Sequence, residues 1–331
     1  MREITEDGAL SGLADQVCWS GTLARRAVRA RLFGSAADLP SFGRYRWLGA
    51  LGEGGMGTVA IAHDPELDRE VAIKLVLADD DRARARVVHE ARAIARISDP
   101  HVVAVYDVGV APGRVYIVME LVRGVTLRRW CTMVRRPWRE VVRMFIAAGE
   151  GLVAVHARGL LHRDFKPDNV VVGDDGRARL IDFGIARALG DATPSDVQPV
   201  HTAATDADTL ASNRLRPGTL AYMAPEQLGF DGIDHRADQF AFCVSLWEAL
   251  FGARPGHRDS IRSVVEFAGA PPHPGQRDVP ARVYDVIARG LQLEPERRHE
   301  SMRALLDALA RAAKRRSPVP AIVLLGGATA A

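Results

Sequence analysis

Asp164, Lys166, Asn169 and Asp182 are the residues whose types and spacing can do chemistry in this chain. The first three lie in one nonapeptide, Leu161-His162-Arg163-Asp164-Phe165-Lys166-Pro167-Asp168-Asn169. The fourth opens Asp182-Phe183-Gly184, thirteen residues past Asn169. Together they offer a base, a cation that can face a phosphate, and two hard oxygen ligands of the kind magnesium prefers. That is the set phosphoryl transfer needs, a reaction that asks for alignment and cancellation of negative charge rather than covalent help. Either stretch alone would read as an ordinary charged surface loop. Both in order, with Lys166 and Asn169 in register, are far more specific.

A second cluster lies upstream. Residues 52–59 read Gly52-Glu53-Gly54-Gly55-Met56-Gly57-Thr58-Val59, or G-x-G-x-x-G-x-V. Glycines let a backbone approach phosphates closely. The pattern is weak alone, because dinucleotide-binding folds share it. A dinucleotide turn should open a helix, whereas these glycines run into Thr58-Val59-Ala60-Ile61-Ala62, a β-branched and apolar stretch. Val71-Ala72-Ile73-Lys74 reads as the next strand, so a hairpin is predicted. A third cluster, Gly218-Thr219-Leu220-Ala221-Tyr222-Met223-Ala224-Pro225-Glu226, follows Asp182 at a distance.

On these motifs the chain resembles the bacterial Hanks-type (eukaryotic-like) serine/threonine protein kinases. Their signature is H-R-D-L-x-x-x-N, then D-F-G, then A-P-E, with a lysine on the strand V-A-I-K. Phe165 stands where that signature has leucine. The resemblance implies an α+β, two-lobed protein-kinase fold. A small β-rich N-lobe with one helix would span residues 44–119 and a larger helical C-lobe 120–312. An N-terminal extension, 1–40, would precede them, and a basic then short apolar tail, 313–331, would follow.

The resemblance also assigns roles. Asp164 would accept or orient the proton of the attacking hydroxyl and Lys166 would sit against the γ-phosphate. Asn169 and Asp182 would hold Mg2+, with Mn2+ as a substitute. Lys74 would neutralise the α- and β-phosphates of ATP and pair with Glu90 on a helix predicted at 81–97, where Val87, Ala91 and Ile94 fall on one face. The nucleotide would lie against Leu51, Gly52, Gly54, Gly55 and Gly57. Val59 and Ala72 would roof the adenine, Val171 would lie below it and Met119 behind it, and the backbone of Glu120 and Val122 would bond its edge. Thr219 would bridge Asp164 and Lys166. With Lys166, it argues against a tyrosine kinase and against small-molecule phosphotransferases. His162 and Phe183 would join a stack of apolar side chains, Asp238 would bind the H-R-D backbone, and Glu226 would pair with Arg298. Residues 238–251 are apolar almost all round, the mark of a buried helix.

Composition agrees with a globular enzyme. The chain has 331 residues, 47% hydrophobic and 26% charged, enough for one two-lobed unit plus tails. A net charge of +3 does not imply nucleic acid as a partner. Cys18, Cys131 and Cys243 have no metal or redox spacing and suggest a reducing cytoplasm. The partners implied are ATP and protein substrates; the oligomeric state is left open. Lys314-Arg315-Arg316 precedes an apolar stretch of thirteen residues after Pro318, short of the ~20 that a spanning helix needs. It reads either as the stub of a membrane segment or as a disordered tail, so membrane contact rests on that tail alone. A nucleotide-binding pseudokinase or scaffold is the alternative, and the presence of Lys74, Asp164, Asn169 and Asp182 weighs against it.

The stretch from Asp182 to Glu226 is long, and its middle, about 190–213, is rich in Asp, Ala, Thr, Ser and Pro, which predicts mobility. It offers Thr193, Ser195, Thr202, Thr205, Thr209 and Ser212 as acceptors, with Thr209 and Ser212 favoured by nearness to Gly218. Arg163 and Arg187 could pair with a phosphate and order the segment. Active protein should therefore carry phosphate within 190–219. Phosphosite mapping by mass spectrometry that finds this segment bare in active protein would end the autophosphorylation reading.

Overall fold

Alternating apolar residues build an antiparallel sheet of six strands. They are β1 (Ser41–Phe42), β2 (Tyr45–Gly54), β3 (Gly57–Asp64), β4 (Arg69–Leu77), β5 (Val105–Ala111) and β6 (Arg114–Glu120), in the spatial order β1-β2-β3-β4-β6-β5. The computed structural model describes residues 41–54, 57–78, 80–111, 114–183, 220–228, 233–256, 263–264, 267, 269–274 and 279–314. The glycine-rich stretch closes the β2–β3 hairpin, with Gly54 opposite Gly57, as the strand-like residues after it predict. β4 is buried on both faces. Val71, Ile73 and Leu75 pack with Tyr45, Trp47 and Val118, while Ala72 and Val76 join the core that also contains Val87, Ala91 and Ile94. Side chains alternate along a strand, so Lys74 shares the face of Ala72 and Val76.

Helix α1 (Asp81–Ile94) supplies those three residues. Asp80 caps its N-terminus by accepting from the Ala83 N–H at 2.5 Å. It ends three residues short of the predicted Ile97, ahead of Asp99-Pro100, since a proline disfavours helical backbone in the residue before it.

The second unit is helical. It comprises a short sheet of β7 (Gly124–Thr126), β8 (Val170–Gly173) and β9 (Ala178–Leu180), with helices α2 (Leu127–Met133), α3 (Trp138–His156), α4 (Arg236–Phe251), α5 (Ala281–Gly290) and α6 (Met302–Ala313). α4 is the buried post that its composition predicts. Phe240, Phe242, Cys243, Val244 and Leu246 are all wholly covered. Gly252 ends it with φ 83°, a left-handed cap that glycine adopts without steric cost. Burial raises the Cys243 thiol well above its ordinary value. Among the described residues no helix is long and apolar enough to cross a membrane.

Three polar groups on or beside α4 hold the surrounding loops. Asp238 accepts hydrogen bonds from the backbone N–H groups of His162 and Arg163, both at 2.8 Å, and from His156 Nε2 at 2.8 Å. Gln239 donates to the His299 carbonyl at 3.1 Å. Arg298, 1% exposed, donates to both carboxylate oxygens of Glu226 and to the carbonyls of Arg236, Gln292 and Leu293. The predicted Glu226–Arg298 pair is thus formed, and every donor direction of the guanidinium is used.

Removing one member of such a buried pair strands the other's charge. Arg298→Ala should lower stability by about 3–5 kcal/mol, read by urea unfolding; a loss under ~1 kcal/mol would mean the pair is solvated after all. Acid should also destabilise the fold. Burial pushes His162 down against the pull of Asp238 and Asp164, and burial likewise lowers His299. Both therefore stay neutral in the folded protein while the unfolded chain protonates near ~6.5. Below that pH the unfolded state binds more protons, so stability falls as the pH drops through it. Burial pushes Asp238 up, but the hydrogen bond from His156, the His156 charge and the backbone donors outweigh it and hold it low. Its stabilisation is present above the ordinary carboxylate value and fades as pH falls below it. A flat unfolding free energy between pH 8 and pH 5 would contradict this account.

Candidate active site

The nonapeptide forms a loop with a single 3-10 turn, Pro167–Asn169, in which proline occupies a first-turn position where no N–H is missed. Asp164, 4% exposed, is the centre of that loop. Its Oδ2 accepts from Lys166 Nζ at 2.9 Å and from Asn169 Nδ2 at 2.9 Å, and its backbone carbonyl accepts from Asn169 Nδ2 at 2.8 Å. Those bonds fix the orientation of the Asn169 amide. Its NH2 group serves the loop, and its carbonyl oxygen is left for a ligand outside. Phe165 is buried and continues an aromatic train through Phe242 to Phe145, with centroids 5.5 Å and 5.7 Å apart. The departure from leucine at this position is matched by the ring that receives it.

Asp182 arrives from β9. Leu180 N–H donates to the His101 carbonyl at 2.8 Å, Val103 N–H to the Leu180 carbonyl at 3.0 Å, and Ile181 N–H to the Asn169 carbonyl at 2.9 Å. These bonds lock the approach to Asp182 against the loop that carries Asn169. Asp182 itself sits at φ 54° and Arg163 at φ 62°, left-handed backbone that non-glycine residues rarely adopt. Phe183 lies on His162 with centroids 5.0 Å apart, and His162 Nε2 donates to the Ile181 carbonyl at 3.3 Å.

Lys74 meets Asp182. Its Nζ is 3.1 Å from Asp182 Oδ1 and the lysine is 2% exposed. The contact is charge to charge, because among the described residues the ammonium makes no aligned hydrogen bond. The sequence expectation set Lys74 beside Glu90; the contact seen for it here is with Asp182. Glu90 is half-buried on α1, in the turn between Val87 and Ile94, but in this arrangement the lysine's carboxylate partner is Asp182.

The residues fit a metal-bound polyphosphate. A buried ammonium with unused donors suits phosphate oxygens. Asn169 Oδ1 and the quarter-exposed Asp182 carboxylate are hard donors. Among the described residues no three His, Cys, Asp or Glu side chains form a cage, so two protein oxygens would be completed by phosphate and water, the pattern magnesium favours. Around the cleft, Ala72 and Met119 are buried and face each other across β4 and β6, Val59 and Val171 are half-buried, and Leu51 and Gly52 are exposed. The Glu120 N–H is taken by the Ala104 carbonyl at 2.9 Å, and Val122 is half-buried. Gly54 and Gly57 belong to the strands of the hairpin. Gly55, Thr219 and the acceptor-rich segment 190–213 lie outside the described residues.

One part of the site has no counterpart in the sequence reading. Arg128 on α2 grips Asp168 through Nε at 2.9 Å and 2.8 Å and donates through Nη2 to the Tyr222 hydroxyl. Tyr222 in turn donates to Glu248 at 2.6 Å. Burial works against the Arg128 charge, but its bonds to Tyr222 and Asp168 hold it above its ordinary value. Burial and the bond to Glu248 raise Tyr222. Asp168 lay in view inside the nonapeptide, yet its partner is one arginine among several in 123–129.

The family model for the protein kinase domain matches residues 45–308. The serine/threonine-protein kinase PknE of Mycobacterium tuberculosis is 36% identical over 269 residues, covering 78% of this chain and 44% of that protein. PknD of the same organism is 36% identical over 272 residues, covering 78% and 38%. The chain thus spans less than half the length of these curated relatives. The crystal structure of the M. tuberculosis PknI kinase domain superposes with a TM-score of 0.62 at 28% identity, covering 82% of this chain and 98% of that one. With that match in fold and these motifs in one cleft, the chain belongs to the protein kinase family, as a member of its bacterial Hanks-type serine/threonine branch.

Proposed function

We propose that this chain is an ATP-dependent serine/threonine protein kinase, with its kinase domain at residues 44–312. One observation supports the reading: Lys166 and Asn169 are hydrogen-bonded to Asp164, and Lys74 is set against Asp182, the residue types that phosphoryl transfer uses. The names of the relatives support serine and threonine as the acceptors.

Asp164 is held for the acceptor hydroxyl. Two donors on its Oδ2 fix the carboxylate, and its remaining oxygen orients the incoming O–H and takes the proton. Lys166, already against Asp164, lies where it can follow negative charge onto the transferred group. Lys74 turns from Asp182 to the α- and β-phosphates. Asp182 and Asn169 would hold Mg2+, or Mn2+, through hard oxygens. When bound, the metal ion would supply positive charge against the negative charge that develops in the transfer. Met119, Ala72 and Val59 exclude water from the purine, which raises the weight of each charge in the cleft. Glu90 is the residue to which Lys74 would swing as the cleft fills, and Thr219 would bridge Asp164 and Lys166 from the acceptor side. The substrates are proteins; the tails and the oligomeric state carry no part of the chemistry proposed.

The test is transfer of label from γ-labelled ATP with magnesium to the chain itself and to an added protein, beside Asp164→Asn. Label should appear on serine and threonine in the wild type, and the variant should fall by about 10²–10⁴-fold. Bound ATP without any transfer in the wild type would overturn the reading in favour of a nucleotide-binding scaffold.

A further inference from the structure

Asp164 is braced on both sides to the stretch that closes the activation segment. Before it, the Arg163 carbonyl accepts from Gln227 Nε2 at 3.3 Å, while Gln227 Oε1 accepts from the Ala224 N–H at 2.9 Å. After it, Asp168 is gripped by Arg128, whose other arm holds the Tyr222 hydroxyl. Tyr222 is anchored in turn on Glu248 of α4, and Arg128 Nη1 lies 3.4 Å from the same carboxylate. The tyrosine is 5% exposed, within a stretch, Leu220–Ala224, that is buried throughout.

We infer that Arg128 is a positioning residue for the protein acceptor: it sets the height of the 220–224 stretch over the catalytic loop. This rests on the kinase reading given above. The side chains of Arg128 and Asp168 are 36% and 44% exposed, and an ion pair so placed contributes little to folding. Its geometry is another matter. One planar cation joins three segments that the chain separates by 40 and 94 residues, through a fork that fixes direction as well as distance. An acceptor hydroxyl must come within hydrogen-bond reach of Asp164, so the polypeptide bearing it passes over residues 220–224 and the loop together. A shift of about 1 Å between those two surfaces is enough to cost ~10²-fold in rate. Among the described residues Arg128 makes no hydrogen bond or ion pair to Lys74 or Asp182.

The experiment is steady-state kinetics of the full chain with Arg128→Ala, Arg128→Lys, Tyr222→Phe and the Arg128→Ala/Tyr222→Phe double variant. ATP and acceptor are varied separately, and two acceptors of opposite charge are used, a histone mixture and dephosphorylated casein. The inference expects kcat/KM for both acceptors to fall about tenfold or more in Arg128→Ala and in Tyr222→Phe, with the KM for ATP within about twofold of wild type. The double variant should be little worse than Arg128→Ala alone, because both changes cut one link. Arg128→Lys, which keeps charge without the fork, should recover part of the loss. Tyr222→Phe preserves the buried ring, so it carries the test if Arg128→Ala does not fold. Unchanged acceptor kinetics would overturn the inference. So would opposite shifts for the two acceptors, which would make Arg128 a reader of acceptor charge, or an equal loss on the ATP side, which would make it a general structural support. Wild type that binds ATP yet labels neither acceptor sinks the kinase reading and this inference with it, whereas active wild type with indifferent variants sinks this inference alone.

Discussion

The cleft depends on one buried carboxylate. Asp238 is 2% exposed, inside a helix with no solvent-facing side over most of its length. A carboxylate in such a place is tolerable only when its oxygens are saturated. Here the donors are two adjacent backbone N–H groups, of His162 and Arg163, and the ring of His156. Adjacent amides that point the same way need an unusual backbone, and Arg163 has it, with φ at 62°. Left-handed backbone at a non-glycine residue costs of order 1–3 kcal/mol, and persists only where its surroundings over-determine it. The charge of Asp238 and the strain of Arg163 therefore answer each other, and Asp164 inherits its position from both.

The same economy extends outward. α4 is a post, and each loop of the cleft is hung from it by a polar group that its interior would otherwise reject. The catalytic loop hangs from Asp238 and the His299 loop from Gln239. Tyr222 hangs from Glu248, and Arg298 ties the Arg236 carbonyl at the start of α4 to Glu226. The sheet unit is held by a different device. Residues 101–103 run between β9 and α3, and a Cβ on Gly151 of α3 would come within 2.5 Å of the His101 carbonyl oxygen. Only glycine lets the helix approach that backbone, and through it the connection from α1 to β5 rests on the helical unit.

Much of this was legible in the chain before any coordinates. Asp164, Lys166, Asn169 and Asp182 are legible because their chemistry demands those residue types at short range in sequence. β4 is legible as a β-branched, apolar run after the strand-like stretch that follows the glycines, and α4 because residues 238–251 are apolar almost all round and so belong in an interior. The Asp238 and Glu226 contacts followed from the family resemblance, not from pattern. What could not be read were choices among near neighbours. Lys74 lies against Asp182, on a segment that only the fold brings to β4, and spacing along the chain does not encode that contact. Arg128 sits among other arginines, and its partners lie on segments brought together only by the fold. Phe165 looked like a mild departure; the reason for it, Phe242, is 77 residues away.

The contact between Lys74 and Asp182 has an electrical meaning for the cleft. At 3.1 Å the two charges largely cancel, so the floor of the site presents little net field to a passing ion. A free anion would have to strip the lysine from its partner and leave a carboxylate bare in a poorly solvated place. A free divalent cation would have to do the reverse. Only a ligand that brings both signs at once, polyphosphate already wedded to its metal, can trade one neutral pairing for two without stranding either group. Such a pairing would resist phosphate or magnesium taken singly and yield to their complex.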